Sequence, residues 1–159
     1  MAEEKKLAEN IRYTYSPRLT EPESGNPYYN RTPSGYSSAI KGNVPKGSDS
    51  SVRTGSLNPQ LNVLRNCVGY ANGRFNEIIG EGRIKYSFTC NAEKFVQTAL
   101  GYGLQVGQTP QLGAIMCWRK GSASTSDDGV GHVAIVESID SDTGNIVISQ
   151  SGWSSDSLF

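Results

Sequence analysis

Asn66-Cys67-Val68-Gly69-Tyr70-Ala71-Asn72-Gly73-Arg74-Phe75-Asn76-Glu77-Ile78-Ile79-Gly80 is the stretch on which the fold turns. Val68, Ala71, Phe75, Ile78 and Ile79 recur at helical spacing, so one face of a helix can pack on a core. Asn66 is a good N-cap, because its side-chain oxygen can accept from a backbone N–H of the first turn. Gly80 suits the position after the last turn, where φ is positive. Cys67 then sits in the first turn, at the positive end of the helix dipole, which favours the nucleophilic thiolate. The alternative for Cys67 is a buried structural thiol, since free cysteine is among the most buried residue types. The only histidine of the chain, His132, is the candidate base.

Composition narrows the classes. The chain has 159 residues, enough for one domain with a tail. Fifteen basic and fifteen acidic residues leave no net charge. No basic stripe points to nucleic acid and no lysine run to an anionic membrane. The low hydrophobic fraction, with 18 glycines, implies a modest core with long surface connections. No apolar run is long enough to span a bilayer. Met1 to Lys6 has no apolar segment behind its charges, so no signal peptide is expected. The three cysteines, Cys67, Cys90 and Cys117, show neither a CxxC pair nor zinc spacing, which argues against a disulfide framework and a structural metal.

Along the chain, residues 1–24 read as a charged tail or linker; the alternative there is a short helix over Glu3 to Tyr13, which offers only Leu7 and Ile11 to bury. Residues 25–159 form the domain. Its first part, to residue 60, is dense in turn signals. There Tyr28, Tyr29 and Tyr36 either line a substrate groove or pin the loop to the core. Beyond the Cys67 helix, Ile84, Tyr86 and Phe88 alternate in a short extended segment. Asn91 can cap a second helix, Ala92 to Leu100, with Ala92, Phe95, Val96 and Ala99 on one face. Ala114 to Trp118 reads as a strand buried on both faces or a short one entering the core. His132 to Ile139 is a strand by its β-branched content, Asp140 to Gly144 a turn, and Asn145 to Ser151 the return strand. Helices first and an antiparallel sheet after is the order of an α+β fold.

His132 opens its strand after Gly129-Val130-Gly131, glycines that let another backbone come close. With an odd number of residues in the turn, Gln150 falls on the same sheet face as His132. Its side-chain carbonyl can then accept from one ring N–H and aim the other nitrogen at a thiol. Nucleophile, base and orienting group is the logic of a Cys-His hydrolase. Taken singly, His132 could be a solvent-facing or core histidine, and Gln150 a polar residue on an exposed strand. Cys90 precedes the second helix but lacks this setting, and Cys117, between Met116 and Trp118, reads as core.

Four blocks in order carry a resemblance: Asn66 to Ala71 with Gly73-Arg74; Pro110 to Ile115 ending in Trp118; Gly131 to Glu137; and Ser149 to Trp153. Together they resemble the cysteine- and histidine-dependent amidohydrolase/peptidase (CHAP) domains, over about residues 25–159. The resemblance implies a papain-like α+β fold of the NlpC/P60 type, with N-terminal helices packed on a C-terminal antiparallel sheet. It implies peptidoglycan as partner and cleavage of an amide, either the N-acetylmuramoyl-L-alanine bond or one in the stem or cross-bridge peptide. Cys67 becomes the nucleophile, His132 the base and Gln150 the third catalytic position, where the family often has Glu. The family Asn that sometimes assists falls on Gly152. Tyr28, Tyr29 and Trp153 are the candidate substrate-binding residues. The Asn-Pro-Tyr segment and the cysteine block look most like phage and prophage lysins. That implies a protein carried on the virion, or released from the host cytoplasm to act on the wall. Some members bind calcium through acidic residues before the cysteine; Leu57 to Asn66 has none, so no metal or other cofactor is expected. The family's sheet often continues beyond the point matching Trp153, so a truncated chain or one module of a larger phage protein is expected. Two other readings stand beside the wall hydrolase: a catalytically weak wall-binding or structural tail module, and an amidase for a small soluble amide.

Overall fold

α1 spans Cys67–Ile79 and starts and stops where its caps dictate. Asn66 Oδ1 accepts from Val68 N at 2.9 Å and Gly69 N at 3.2 Å. Gly80, at φ 76°, returns its N–H to the Asn76 carbonyl at 3.0 Å. The computed structural model describes residues 15–23, 26–29, 64, 66–82, 84–88, 90–122 and 131–152. The alternative helix over residues 3–13, Tyr36 and Trp153 lie outside them.

The burial of α1 differs from the amphipathic reading. Residues 67–74 and Asn76 are buried all round, whereas Phe75, Ile78 and Ile79 are only half-buried. The polar residues go inside because each polar atom is matched. Asn76 Oδ1 accepts from Lys85 N at 2.7 Å and Tyr86 N at 2.9 Å, and its Nδ2 donates to the Tyr86 carbonyl at 2.9 Å. One turn earlier, Asn72 Oδ1 accepts from Phe88 N at 3.1 Å. Two side-chain amides thus do for the 84–88 segment what a neighbouring strand would do. Phe88, which this tether carries into the core, stacks on Phe95 with centroids 4.8 Å apart.

The second helical segment begins as a 3₁₀ turn, Ala92–Lys94, and continues as α2, Phe95–Gly101. Asn91 makes no side-chain cap. At three residues per turn, Ala92 and Phe95 eclipse. The inward line therefore runs Ala92, Phe95 and the half-buried Ala99, and it leaves Val96, expected inside, 44% exposed.

Three strands form one antiparallel sheet in the order β1 (Ile115–Trp118), β2 (His132–Ile139), β3 (Ile146–Ser149). Every residue of β1 is half-buried, as befits a strand with one neighbour. The strand that is buried throughout is β2, from His132 to Glu137. α1 lies against β2, and Val68 and Ala71 share a core with Val133, Ile135, Phe88 and Phe95. The 3₁₀ turn touches both β1 and β2.

The β2–β3 connection holds six residues between the paired Ile139 and Ile146, an even number. Asp140 Oδ1 caps it by accepting from Asp142 N and Thr143 N. Alone, this even turn would turn His132 and Gln150 to opposite faces. A bulge between Val136 and Ser138 adds one residue to β2, after which Ile135 pairs with Ser149. The bulge returns Gln150 to the face of His132.

Of residues 15–29, the sequence reads 15–24 as tail and 25–29 as a loop of the domain, and the described part of both packs on it. Tyr28 and Tyr29 are buried, and Tyr29 stacks on Tyr70 at 5.8 Å. Gly73 makes this possible: a Cβ there would stand 2.6 Å from the Tyr28 carbonyl oxygen and 2.8 Å from the Tyr29 ring.

Candidate active site

His132 is the first residue of β2 and is 6% exposed. Its Nε2 donates to Gln150 Oε1 at 2.7 Å, the diagonal cross-strand contact that the bulge restores. An amide oxygen only accepts, so Nε2 carries a proton, and in the neutral ring Nδ1 then presents the lone pair. Trp118 pairs with His132 across β1 and β2, its ring tilted over the imidazole with centroids 5.5 Å apart. Gly131, at φ 82°, lets two backbones meet beside the histidine. A Cβ there would lie 2.7 Å from the Trp118 carbonyl oxygen and 3.1 Å from Glu93 N. The imidazole is thus held by an amide, faced by an indole and rooted in a crowded backbone.

Cys67 opens α1 and is 7% exposed. It belongs to the same core as Val133, the residue after His132. Asn66 Oδ1 already takes the Val68 and Gly69 N–H groups, so these two do not form an oxyanion hole. The other two thiols are in unreactive settings. Burial pushes the Cys117 thiol up to about 12, with Cys90 adding to the effect. Burial also raises Cys90, against the pull of its contact with Thr98 Oγ1 at 3.2 Å.

Tyr28 and Tyr29 are placed by bonds to protein. Tyr28 Oη accepts from Gly82 N at 2.6 Å, and Tyr29 Oη donates to Glu77 Oε2 at 2.9 Å. Of the two roles open in the sequence, pinning the segment to the core is the one these contacts perform. Burial first, and Glu77 second, raise the Tyr29 hydroxyl far above the ordinary phenol, so it stays a donor. Gly152 follows at the end of the described chain, and Trp153 lies outside it. Among the described residues, no group of three His, Cys, Asp or Glu side chains could hold a metal ion.

Sequence reasoning gave no role to a second cluster on the same two elements. Arg74 Nε and Nη2 donate to the two oxygens of Glu137, each at 2.9 Å. Arg74 Nη1 reaches Glu77 Oε2 at 2.8 Å, and Arg18 forms a further ion pair with Glu77. Tyr70 Oη donates to Ser149 Oγ at 2.7 Å, which donates on to Glu137 Oε1 at 2.6 Å. Burial opposes the Glu137 charge, but hydrogen bonds from Arg74, Ser149 and Tyr15 outweigh it and hold the carboxyl below the usual range. Glu77 is likewise lowered, burial being outweighed by Arg18, Arg74 and Asn26. The available signal was Glu137 itself, a charge inside the apolar run Val133 to Ile139.

An α+β domain with a cysteine at a helix start and an amide-held histidine at a strand mouth defines the class. Residues 58–152 match the CHAP domain family, over more than half the chain, and the chain belongs to that family. Membership places it with the cysteine- and histidine-dependent amidohydrolases and peptidases, in the peptidoglycan hydrolase or amidase class. No solved structure matches it.

Proposed function

We propose that this chain is a peptidoglycan hydrolase that cleaves one amide bond through Cys67, His132 and Gln150. The bond is the N-acetylmuramoyl-L-alanine amide or one in the stem or cross-bridge peptide, and the protein is a phage-encoded lysin of papain-like fold. It acts on the wall from the virion or after release from the host cytoplasm, alone or as a module of a larger phage protein. The observation that supports the reading is the 2.7 Å bond from His132 Nε2 to Gln150 Oε1, which engages one ring nitrogen and leaves Nδ1 as the one that would serve a thiol. In the first half-reaction Cys67 Sγ attacks the amide carbon and the imidazolium protonates the leaving amine. A thioester remains. In the second half-reaction His132 takes a proton from water, the hydroxide attacks the thioester, and the thiolate leaves.

The test is incubation of purified Gram-positive peptidoglycan with the protein, followed by assay of new amino groups and mass analysis of the fragments. New amino groups from wild type and none from Cys67→Ala support the reading, and the masses name the bond. A second reading is a wall-binding or structural tail module with weak catalysis. It is favoured by the neutral, exposed Gln150 where a carboxylate would stabilise the imidazolium more. Wall binding without amine release would establish it.

A further inference from the structure

Two elements carry the proposed nucleophile and base, and a buried ion pair between Arg74 and Glu137 joins them. Val68 and Ala71 of α1 share an apolar core with Val133 and Ile135 of β2. Glu137 adds directional bonds at one point. Its side chain is wholly buried, and donors from three different parts of the chain converge on it. From α1, Arg74 supplies two N–H groups in the planar fork that suits a carboxylate. From β3, Ser149 supplies its hydroxyl. From the segment at 15–18, Tyr15 donates its hydroxyl to Oε2, and Arg18 donates its backbone N–H to the same oxygen at 2.9 Å. The Arg74 guanidinium also lies over the Tyr15 ring, 5.4 Å from its centroid, and Nη2 donates to the Ser16 carbonyl at 2.7 Å.

The spacing ties this point to the chemistry. Arg74 lies seven residues, two helical turns, after Cys67, so both belong to one stripe of α1. Glu137 stands at the bulge of β2, the irregularity that also decides on which face Gln150 meets His132. A shift of Glu137 therefore changes the height of Cys67 along β2 and the register that orients His132 together. The segment at 15–18 lies outside the matched region 58–152, yet it closes the Oε2 side of this carboxylate.

We propose that Glu137 is a positioning residue for the Cys67 and His132 pair, and that the Tyr15–Arg18 segment is a working part of the catalytic unit. The proposal rests on the Cys-His reading above. It is tested on the full chain with wild type, Glu137→Gln and Tyr15→Phe, each checked by thermal melt. Tyr15→Phe keeps the ring over Arg74 and removes only the hydroxyl. Two readouts are taken: kcat and KM for amine release from solubilised peptidoglycan fragments, and the iodoacetamide labelling rate of Cys67 against pH, resolved by mass.

Glu137→Gln is expected to lose about tenfold or more in kcat with KM changed less than about twofold, as misplacement of reacting groups does. Tyr15→Phe is expected to lose about threefold, the scale of one hydrogen bond. In both, the Cys67 labelling profile moves toward that of a free thiol, which loss of stability alone does not produce. A folded Glu137→Gln with wild-type kcat and labelling overturns the proposal. The same result for Tyr15→Phe overturns the part assigned to the segment, and it decides the matter if Glu137→Gln does not fold. Absence of amine release by wild type overturns the hydrolase reading instead, and the labelling profiles still decide the positioning.

Discussion

Replacing Gln150 by Ala removes the 2.7 Å partner of His132 Nε2 and leaves the Trp118 contact in place. The imidazole can then rotate, and on the proposed mechanism Nδ1 is held toward Cys67 for less of the time. A neutral hydrogen bond contributes about 0.5–1.5 kcal/mol, which as a barrier change is roughly a 2- to 12-fold loss of rate. Gln150 is exposed, so water competes for the ring N–H and the lower half of that range is expected. Gln150→Glu should retain the rate or raise it, because a charge-assisted bond is about twice as strong. It should also move the alkaline limb of the rate profile to higher pH, since a carboxylate favours the charged imidazole. The assay is initial rate of wall lysis against pH for the three proteins, with folding checked by thermal melt. If Gln150→Ala equals wild type at every pH, Gln150 does not orient the imidazole, and another group must hold Nε2.

Cys67→Ala should abolish lysis with the melt little changed, whereas Cys90→Ser and Cys117→Ser should keep activity; lysis by Cys67→Ala at the wild-type rate would refute the mechanism. Native-state alkylation near neutral pH should mark Cys67 far ahead of Cys117, whose thiol burial holds up to about 12, and equal labelling would contradict that order. Gly73→Ala should lower the melting temperature at a cost of about 1–3 kcal/mol, because a Cβ would stand 2.6 Å from a backbone oxygen and the chain must shift; an unchanged melt would mean the Tyr28 segment is not packed there. Acid should destabilise the fold through Glu137 and Glu77. Both carboxyls are held below their unfolded range of about 4.3, so their stabilisation is present above that pH and is lost as pH falls through the folded values. Melts from pH 6 to 3 should show this slope in wild type and less of it in Glu137→Gln.

How much of this could be read from the sequence depends on what kind of contact does the work. Local rules carried α1, since Asn66 and Gly80 cap it through bonds to their own neighbours. They also carried the hairpin of β2 and β3, whose turn chemistry sits within Asp140 to Gly144. The His132–Gln150 pair was legible in its residues, but the parity argument behind it used an odd turn. The turn is even, and the bulge that corrects it leaves no local mark in the sequence. Asn72 and Asn76 read as the polar side of a helix because periodicity cannot know that a backbone 9 to 16 residues on will need acceptors. For Arg74 the partner is 63 residues away. Tyr15 and Arg18 read as tail because their anchor lies 119 to 122 residues further on. Bonds of that range follow from topology alone.

The buried ions invite one further step. Apolar replacements of such a group are often neutral or stabilising, because desolvation cancels much of the attraction. Stability is therefore a weak reason for placing a carboxylate in the middle of β2, where Val133 and Ile135 already supply the apolar contact to α1. Direction is a better one. Apolar side chains accept a neighbour over a range of offsets at similar energy, whereas a two-bond fork between Arg74 and Glu137 accepts one. A reaction that needs a sulfur and an imidazole nitrogen within about 3–3.5 Å of their targets tolerates little offset between the elements that carry them. Replacing Arg74 and Glu137 together by Met and Leu separates the two accounts. Tyr15, Arg18 N, Ser149 and Glu77 lose partners in the double variant, so its melt falls on either account; if the pair serves direction, the protein that remains folded is slow, and if it serves stability alone, that protein keeps its kcat.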